Sequence, residues 1–523
     1  MRNKFLSRVF QAALICSLTT VFTGCDDILS AMDNPIQTAL SMSTRDVELA
    51  IGEQYQCEVI TASPAPVIYT SSDPAVAAVS ANGTVTAVGK GTATITASVD
   101  AVDYWLATSK SFKVTVVPEG AATVTTAPEA PTDDIMVGSE TVLVTAGEAD
   151  GGEMMYLLTS EKNKPTTTDD FTTTVPTSKD LEPGSYYVWY YAKGDATHND
   201  SEIADPVKVT VFFNVDLSGL TDHYEAKDGA ILTGSAAYII EIEAGATVKL
   251  SNATVSRWVR CLGDATIILA EGTENIIYGY NTTALLVGPE GTTLIIKGKG
   301  KLEAHGNYWG NNYVAAGIGA RSAATAGNIV IEDGIINAYG YYGASIGSNC
   351  FGSSIGDITI KGGTVTAVQQ AEAGAGIGSG LAYSGESRCG NITITGGTVV
   401  AYGGETGAGI GAGGLYWGYN DYESSCGNIT ITGGNVTAYG GKYAAAIGSG
   451  VKYYSSYTNT SVCGDITISD GTVVAMRGSY SLYDIGPGEY SSNPGVFTGK
   501  VGTISVSVEV KDSWGNDAII YAP

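Results

Sequence analysis

Gly390–Gly404 reads GNITITGGTVVAYGG, and the chain returns to that pattern four more times. The other copies are Gly327–Tyr341 (GNIVIEDGIINAYGY), Gly356–Gln370 (GDITIKGGTVTAVQQ), Gly427–Gly441 (GNITITGGNVTAYGG) and Gly464–Gly478 (GDITISDGTVVAMRG). Their opening residues Asn328, Asp357, Asn391, Asn428 and Asp465 are 29, 34, 37 and 37 positions apart. An Ile beside Gly keeps step with them at Ile318, Ile346, Ile377, Ile410, Ile447 and Ile485. Two landmarks moving together at one period mark stacked structural repeats. Within a copy, Ile392 and Ile394 alternate with Thr393 and Thr395, the period of a strand with one apolar face. Gly396–Gly397 ends that strand, Val399 and Ala401 carry the inward face of a second, and Ala408–Gly411 forms a third. Three short strands per repeat describe one coil of a parallel β-helix. The spacing predicts Ile329, Ile358, Ile392, Ile429 and Ile466 in one interior column, roughly 4.8 Å apart. Coils of this length suit the right-handed form with loops.

Composition bounds the remainder. With 523 residues the chain is expected to hold several domains. Gly at 68 and Tyr at 31 against Phe at 9 describe an all-β, turn-rich protein that displays its aromatics. Asp and Glu outnumber Lys and Arg by 53 to 27, and a net charge of −26 argues against nucleic acid as a partner.

Residues 1–24 begin with basic Arg2, Lys4 and Arg8, continue through an apolar stretch from Val9 to Val21, and end at Phe22-Thr23-Gly24. This is a secretory signal pattern. Together with Cys25 it resembles the bacterial lipoprotein box, which implies cleavage before Cys25, lipidation of its thiol and attachment to a membrane. Asp26 and Asp27 resemble the acidic surface-export signal of Bacteroidetes lipoproteins. In an enterobacterial setting the same residues imply inner-membrane retention, so the expected outer-membrane, surface-facing location leaves the leaflet open.

Residues 25–40 read as a tether and 41–118 as a small β-domain, with alternation in Thr92–Ala97 and a turn at Asn82-Gly83. SSDPAVAAVSANGTVTAVGKGTATITA (Ser71–Ala97) resembles the group 2 bacterial Ig-like domain, which implies a Greek-key sandwich used in surface proteins. Residues 119–132 read as a Pro/Ala/Thr-rich linker, and 133–213 resemble a second Ig-like domain. In GSYYVWYYAKG, Tyr187, Trp189 and Tyr191 share one strand face and Tyr186 and Tyr190 the other. One set is expected to be core, since strand aromatics usually pack.

Residues 214–523 are assigned to the β-helix, irregular at first, with regular coils over about 300–490 and a cap over 491–523. GTTLIIKGKGKLEAHG (Gly291–Gly306) and the later copies resemble β-helical surface proteins of gut and oral bacteria, a likeness that specifies fold more than function. Cys389, Cys426 and Cys463 each precede a coil opening. They are expected to form a buried, reduced column; a disulfide is within reach of that geometry, and a metal site lacks ligands. The Asn/Asp column beside them is expected to form a hydrogen-bonded ladder. No cofactor is expected.

Function is expected in what the coils display. LAYSGESR (Leu381–Arg388), GLYWGYNDYESS (Gly414–Ser425) and VKYYSSYTNTSV (Val451–Val462) leave the same corner. They collect Tyr383, Tyr416, Trp417, Tyr419, Tyr422, Tyr453, Tyr454 and Tyr457 as candidate ligand-binding residues, with NYWGNNY (Asn307–Tyr313) at a neighbouring corner. Aromatic planes beside Asn and Asp suit the C–H faces and hydroxyl edges of a polysaccharide or host glycoprotein. The column Tyr339, Tyr402 and Tyr439 is a secondary candidate that ladder stacking also explains. Enzymes occur on β-helices, yet fold does not carry chemistry. The best catalytic constellation here, Glu386 and Arg388 with Asp421 and Glu423, meets no geometric test, and catalysis is not expected. A rigid stalk without ligand is the alternative to a binding role.

Overall fold

The computed structural model describes residues 36–42, 45–118, 120–306, 314–383, 385–416, 422–453, 460–488 and 499–522, with the backbone alone at Tyr416, Lys452 and Tyr453. Among the described residues it is all-β apart from one 3-10 turn, Leu217–Gly219. The organising feature is the column the repeats predict. Ile329, Ile358, Ile392, Ile429 and Ile466 pair in parallel, coil after coil, and all are fully buried. Leu294 extends the column on one side and Ile504 on the other. The intervening Thr359, Thr393, Thr430 and Thr467 face outward, as strand alternation requires.

The coil differs from the three-strand expectation in two ways. First, the Gly-Gly corner does not separate sheets: Ile429–Tyr439 and Ile466–Met476 each run through it as one strand, bent at Gly434 and Gly471. Their φ values of 85° and 96° let the ladder pass through a bulge that a side chain would oppose. Second, a further sheet precedes the coil opening. Its strands Ser354–Ile355, Ser387–Cys389, Glu423–Cys426, Thr460–Cys463 and Lys500–Val501 carry the cysteine column. Cys389, Cys426 and Cys463 are buried and free. Contact with neighbouring thiols and burial push the Cys426 and Cys463 thiols up, so they stay protonated.

The Ile-Gly strands stack into a ten-stranded sheet that starts at Tyr224–Ala226 and ends at Ile485–Gly486. Its glycines have a steric cause. Gly378 has φ 138° and Gly411 φ 132°, and a Cβ on Gly411 would lie 1.9 Å from the Gly448 carbonyl oxygen of the next coil. At the coil opening each Asx oxygen accepts the backbone N–H of the next coil's Asx. The distances are 2.8 Å for Asn328 to Asp357, 2.7 Å for Asp357 to Asn391, 3.0 Å for Asn391 to Asn428 and 2.9 Å for Asn428 to Asp465. Thr503 N–H closes the series on Asp465 at 2.7 Å. The last coil is held by Asp484, whose carboxylate accepts from Arg477 Nη1 and N at 2.9 Å and from Ile519 N at 2.7 Å.

Toward the N-terminus, a four-stranded sheet (Val47–Ala50, Val67–Ser71, Gly91–Val99, Thr108–Val117) and a three-stranded one (Gln54–Gln56, Ala77–Val79, Thr84–Ala87) enclose Val85, Ile95, Phe112 and Val114. In the following unit Gly152–Thr159, Gly184–Gly194 and Val207–Asp216 form an antiparallel sheet. Both faces of Gly184–Gly194 are packed. Trp189 and Tyr191 join Met155 and Phe171, while Tyr186 and Tyr190 lean on the Val188 and Val211 side. The stretch read as a linker contributes a strand, Thr123–Thr126, paired with Glu148–Asp150; its Thr-Val-Thr-Thr alternation outweighs the flanking prolines. The end of Val207–Asp216 then pairs in parallel with Ala230–Ala236, so the antiparallel sheet continues directly into the first coil. That covers an edge that would otherwise be open.

Candidate functional site

The loop-bearing corner lies between the Ile-Gly strand and the cysteine-bearing strand, and buried serines fix it. Ser348 Oγ meets Ser387 Oγ at 2.8 Å, and Ser379 Oγ meets Ser424 Oγ at 2.9 Å. Ser387, Ser424 and Ser461 also donate to the carbonyls of Asn349, Gly380 and Gly413 at 2.7–2.9 Å. Ala412 replaces the partner serine opposite Ser461, which among the described residues keeps the Gly413 carbonyl. All of these serines are fully buried, and their pairing satisfies groups that would be costly alone. The first residues of each loop are buried too, at Leu381, Leu415 and Val451.

From this base one aromatic residue leaves each of four successive coils. Phe351 follows Ile346 by five positions; Tyr383, Tyr416 and Tyr453 follow Ile377, Ile410 and Ile447 by six. Phe351 and Tyr383 meet edge to face at 5.6 Å, with Tyr383 41% exposed. Tyr416 and Tyr453 are direct backbone partners in a two-stranded parallel sheet. Tyr422 is half-buried at the return of its loop. Trp417, Tyr419, Tyr454 and Tyr457 lie outside the described residues, as do Asn307–Tyr313 and Cys25. Phe351 was missed because its loop has a single aromatic; the offset from the Ile-Gly landmark is the signal that finds it.

The secondary column divides. Tyr402 and Tyr439 stack at 4.5 Å with planes 2° apart, but Val368 separates them from Tyr339. Tyr339 stacks instead on His305 at 4.5 Å, and His305 on Tyr278 at 5.2 Å. Of the catalytic constellation, Glu386 and Arg388 form an ion pair with one another at an exposed position, and Asp421 lies outside the described residues.

The same corner in the earlier coils carries short turns and opens into a groove of about 710 Å³. Trp258, Arg260, Tyr280 and Arg321 line it, with Glu241 as the carboxylate. It abuts the aromatic edge: Ala323 N–H donates to the Phe351 carbonyl at 3.0 Å and Ser354 N–H to the Ala324 carbonyl at 2.9 Å.

Residues 37–105 match the bacterial Ig-like domain (group 2) family. Residues 329–350, 358–381, 392–414 and 429–451 match the β-helix repeat family. Group 2 domains are typical of extracellular bacterial surface proteins, and the pairing with β-helix repeats fits a surface or adhesin-like protein. Among the described residues no helix is long and apolar enough to cross a membrane. No curated protein matches the chain. Among solved structures, mouse cadherin-23 EC22–24 is 14% identical, over 33% of this chain and 62% of that one, with a TM-score of 0.16. Protocadherin gamma B7 domains 1–4 are 12% identical over 33% and 49%, with a TM-score of 0.17. Human protocadherin-24 EC1-2 is 16% identical over 33% and 97%, with a TM-score of 0.15. The chain thus spans about half to two thirds of the first two cadherin fragments, and these scores bear on neither fold nor function.

Proposed function

We propose, for a chain that joins a group 2 bacterial Ig-like domain to a β-helix repeat array, that the β-helix is a surface-displayed recognition element for glycan or glycoprotein. The N-terminal β-domains hold it away from a lipid anchor on Cys25, and its work is binding, not catalysis. The observation that supports this reading is the corner stripe of Phe351, Tyr383, Tyr416 and Tyr453. One aromatic residue per coil, on a base pinned by buried serines and with Tyr416 and Tyr453 paired along the backbone, suits a chain-like ligand. Loops on a rigid scaffold are where such contacts concentrate.

The test is a glycan array probed with the full chain and with a variant carrying Tyr383→Ala, Tyr416→Ala, Trp417→Ala and Tyr453→Ala. Binding by the parent should fall at least about tenfold in the variant, whose thermal transition should be nearly unchanged, because the edited side chains leave the buried base intact. A parent that binds nothing on the array returns the chain to the stalk reading. Equal binding by parent and variant rejects the stripe as the site. The anchor is tested separately: expression with a labelled fatty acid should mark the chain, and Cys25→Ser should abolish the label.

A further inference from the structure

The geometry points to a second subsite beside the aromatic stripe: the groove at Trp258, Tyr280 and Arg321 binds the charged units of an acidic saccharide. Three observations carry this. The protein has a net charge of −26, yet this groove is lined by two guanidinium groups, Arg260 and Arg321, and one carboxylate, Glu241. Arg260 is paired with Glu241 at 3.3 Å, and Arg321 is exposed with no ion pair among the described residues. The groove is therefore locally cationic in an anionic molecule, a field that favours an anion there. A guanidinium fork also matches a carboxylate or sulfate in two parallel hydrogen bonds.

The aromatic side chains supply the second half of the chemistry. Tyr280 is 43% exposed, and Arg257 lies over its ring at 4.9 Å, a contact that holds the ring plane. Trp258, half-buried, lines the same groove. An aromatic ring in the same groove as an exposed guanidinium suits a pyranose bearing an acidic substituent better than a free inorganic anion, which has no face to stack. The rigidity is sufficient: the lining residues Glu241, Arg260, Cys261 and Leu286 sit on the parallel strands Ile240–Ile242, Val259–Cys261 and Leu285–Leu286. Because residues 323–326 are hydrogen-bonded to 351–354, a saccharide in the groove continues onto the stripe; that continuity rests on the glycan reading, while anion recognition in the groove stands without it.

Titration calorimetry on the full chain is the test, with oligogalacturonides, sulfated galactan oligomers and neutral galactan oligomers as probes. Acidic oligomers should bind at least about tenfold more tightly than neutral ones, and more weakly as salt is raised. Arg321→Gln and Tyr280→Ala should each weaken acidic binding by about tenfold with an unchanged thermal transition, since both side chains are exposed. The carboxylated and sulfated arms identify which anion the groove takes, and preference for either supports the subsite. Failure to bind either acidic probe, equal binding of neutral oligomers, or indifference to Arg321→Gln overturns it. The quadruple stripe variant keeps the two readings apart: loss of neutral-glycan binding with acidic binding intact supports both, whereas intact stripe-dependent binding with no acidic preference rejects the groove alone.

Discussion

Gly411→Ala is expected to disrupt the β-helix strongly for a single-methyl change. Two penalties coincide. A side chain at φ 132° is strained at about 1–2 kcal/mol, as in the left-handed region generally. The added Cβ then meets the Gly448 carbonyl oxygen at 1.9 Å and the Gly448 carbonyl carbon at 2.9 Å. Those atoms are backbone in a ladder, so the neighbouring coil must move away, which adds about 1–3 kcal/mol or more in a close-packed interior. A total of about 2–5 kcal/mol or more is expected. The comparison variant is Gly245→Ala, whose φ is 84° but whose Cβ would meet nothing within 4 Å. It should cost only the backbone strain, about 1–2 kcal/mol. Urea unfolding of the two variants measures the difference. Equal midpoints would show that the Ile-Gly column is not held by close approach.

Asp484→Ala should release the last coil. The carboxylate is 2% exposed and accepts three hydrogen bonds, one of them from the partly buried Arg477 guanidinium. Removing it leaves a cation and two backbone N–H groups without their acceptor, a loss of about 3–5 kcal/mol. In a stacked array the effect is local, because each coil touches only its neighbours. Ile519 and Tyr521, which are hydrogen-bonded to the backbone of Asp484 and Ile485, should become open to proteolysis while the coils near Asn391 stay protected. Cleavage near residues 499–522 in the variant, without change in the fragment that precedes them, is the expected pattern. A C-terminal segment that resists protease as well as the parent does would remove Asp484 from this role.

Much of the fold was legible because the repeats write it in two registers at once. Ile392 and its counterparts state the strand period, and the Ile-Gly landmark fixes where each coil comes round. The fourth strand was hidden because SRC, SSC and SVC place a serine on the buried face. Polar residues ordinarily read as outward, and only the Ser379–Ser424 and Ser348–Ser387 pairs reveal why these face in. The groove was illegible for a different reason. Trp258, Tyr280 and Arg321 come from three irregular coils with no repeated spacing, so nothing in the sequence brings them to one corner. Phe351 sits between these cases, visible once loop positions are counted from the Ile-Gly strand. The strand within residues 119–132 was obscured by the prolines that flank it.

The buried serine base of the corner bears on how such a chain changes over evolutionary time. Hydrogen bonds close on both sides of each loop before the loop begins, so its length is uncoupled from the stacking of the coils. Doubling a flexible loop costs only about 0.6 kcal/mol of closure entropy. The coil spacing grows from 29 to 37 residues along the array, yet the isoleucine column keeps its register throughout. Insertions at this corner are thus nearly neutral for the scaffold, and what the edge recognises is free to drift while the stack beneath it stays the same.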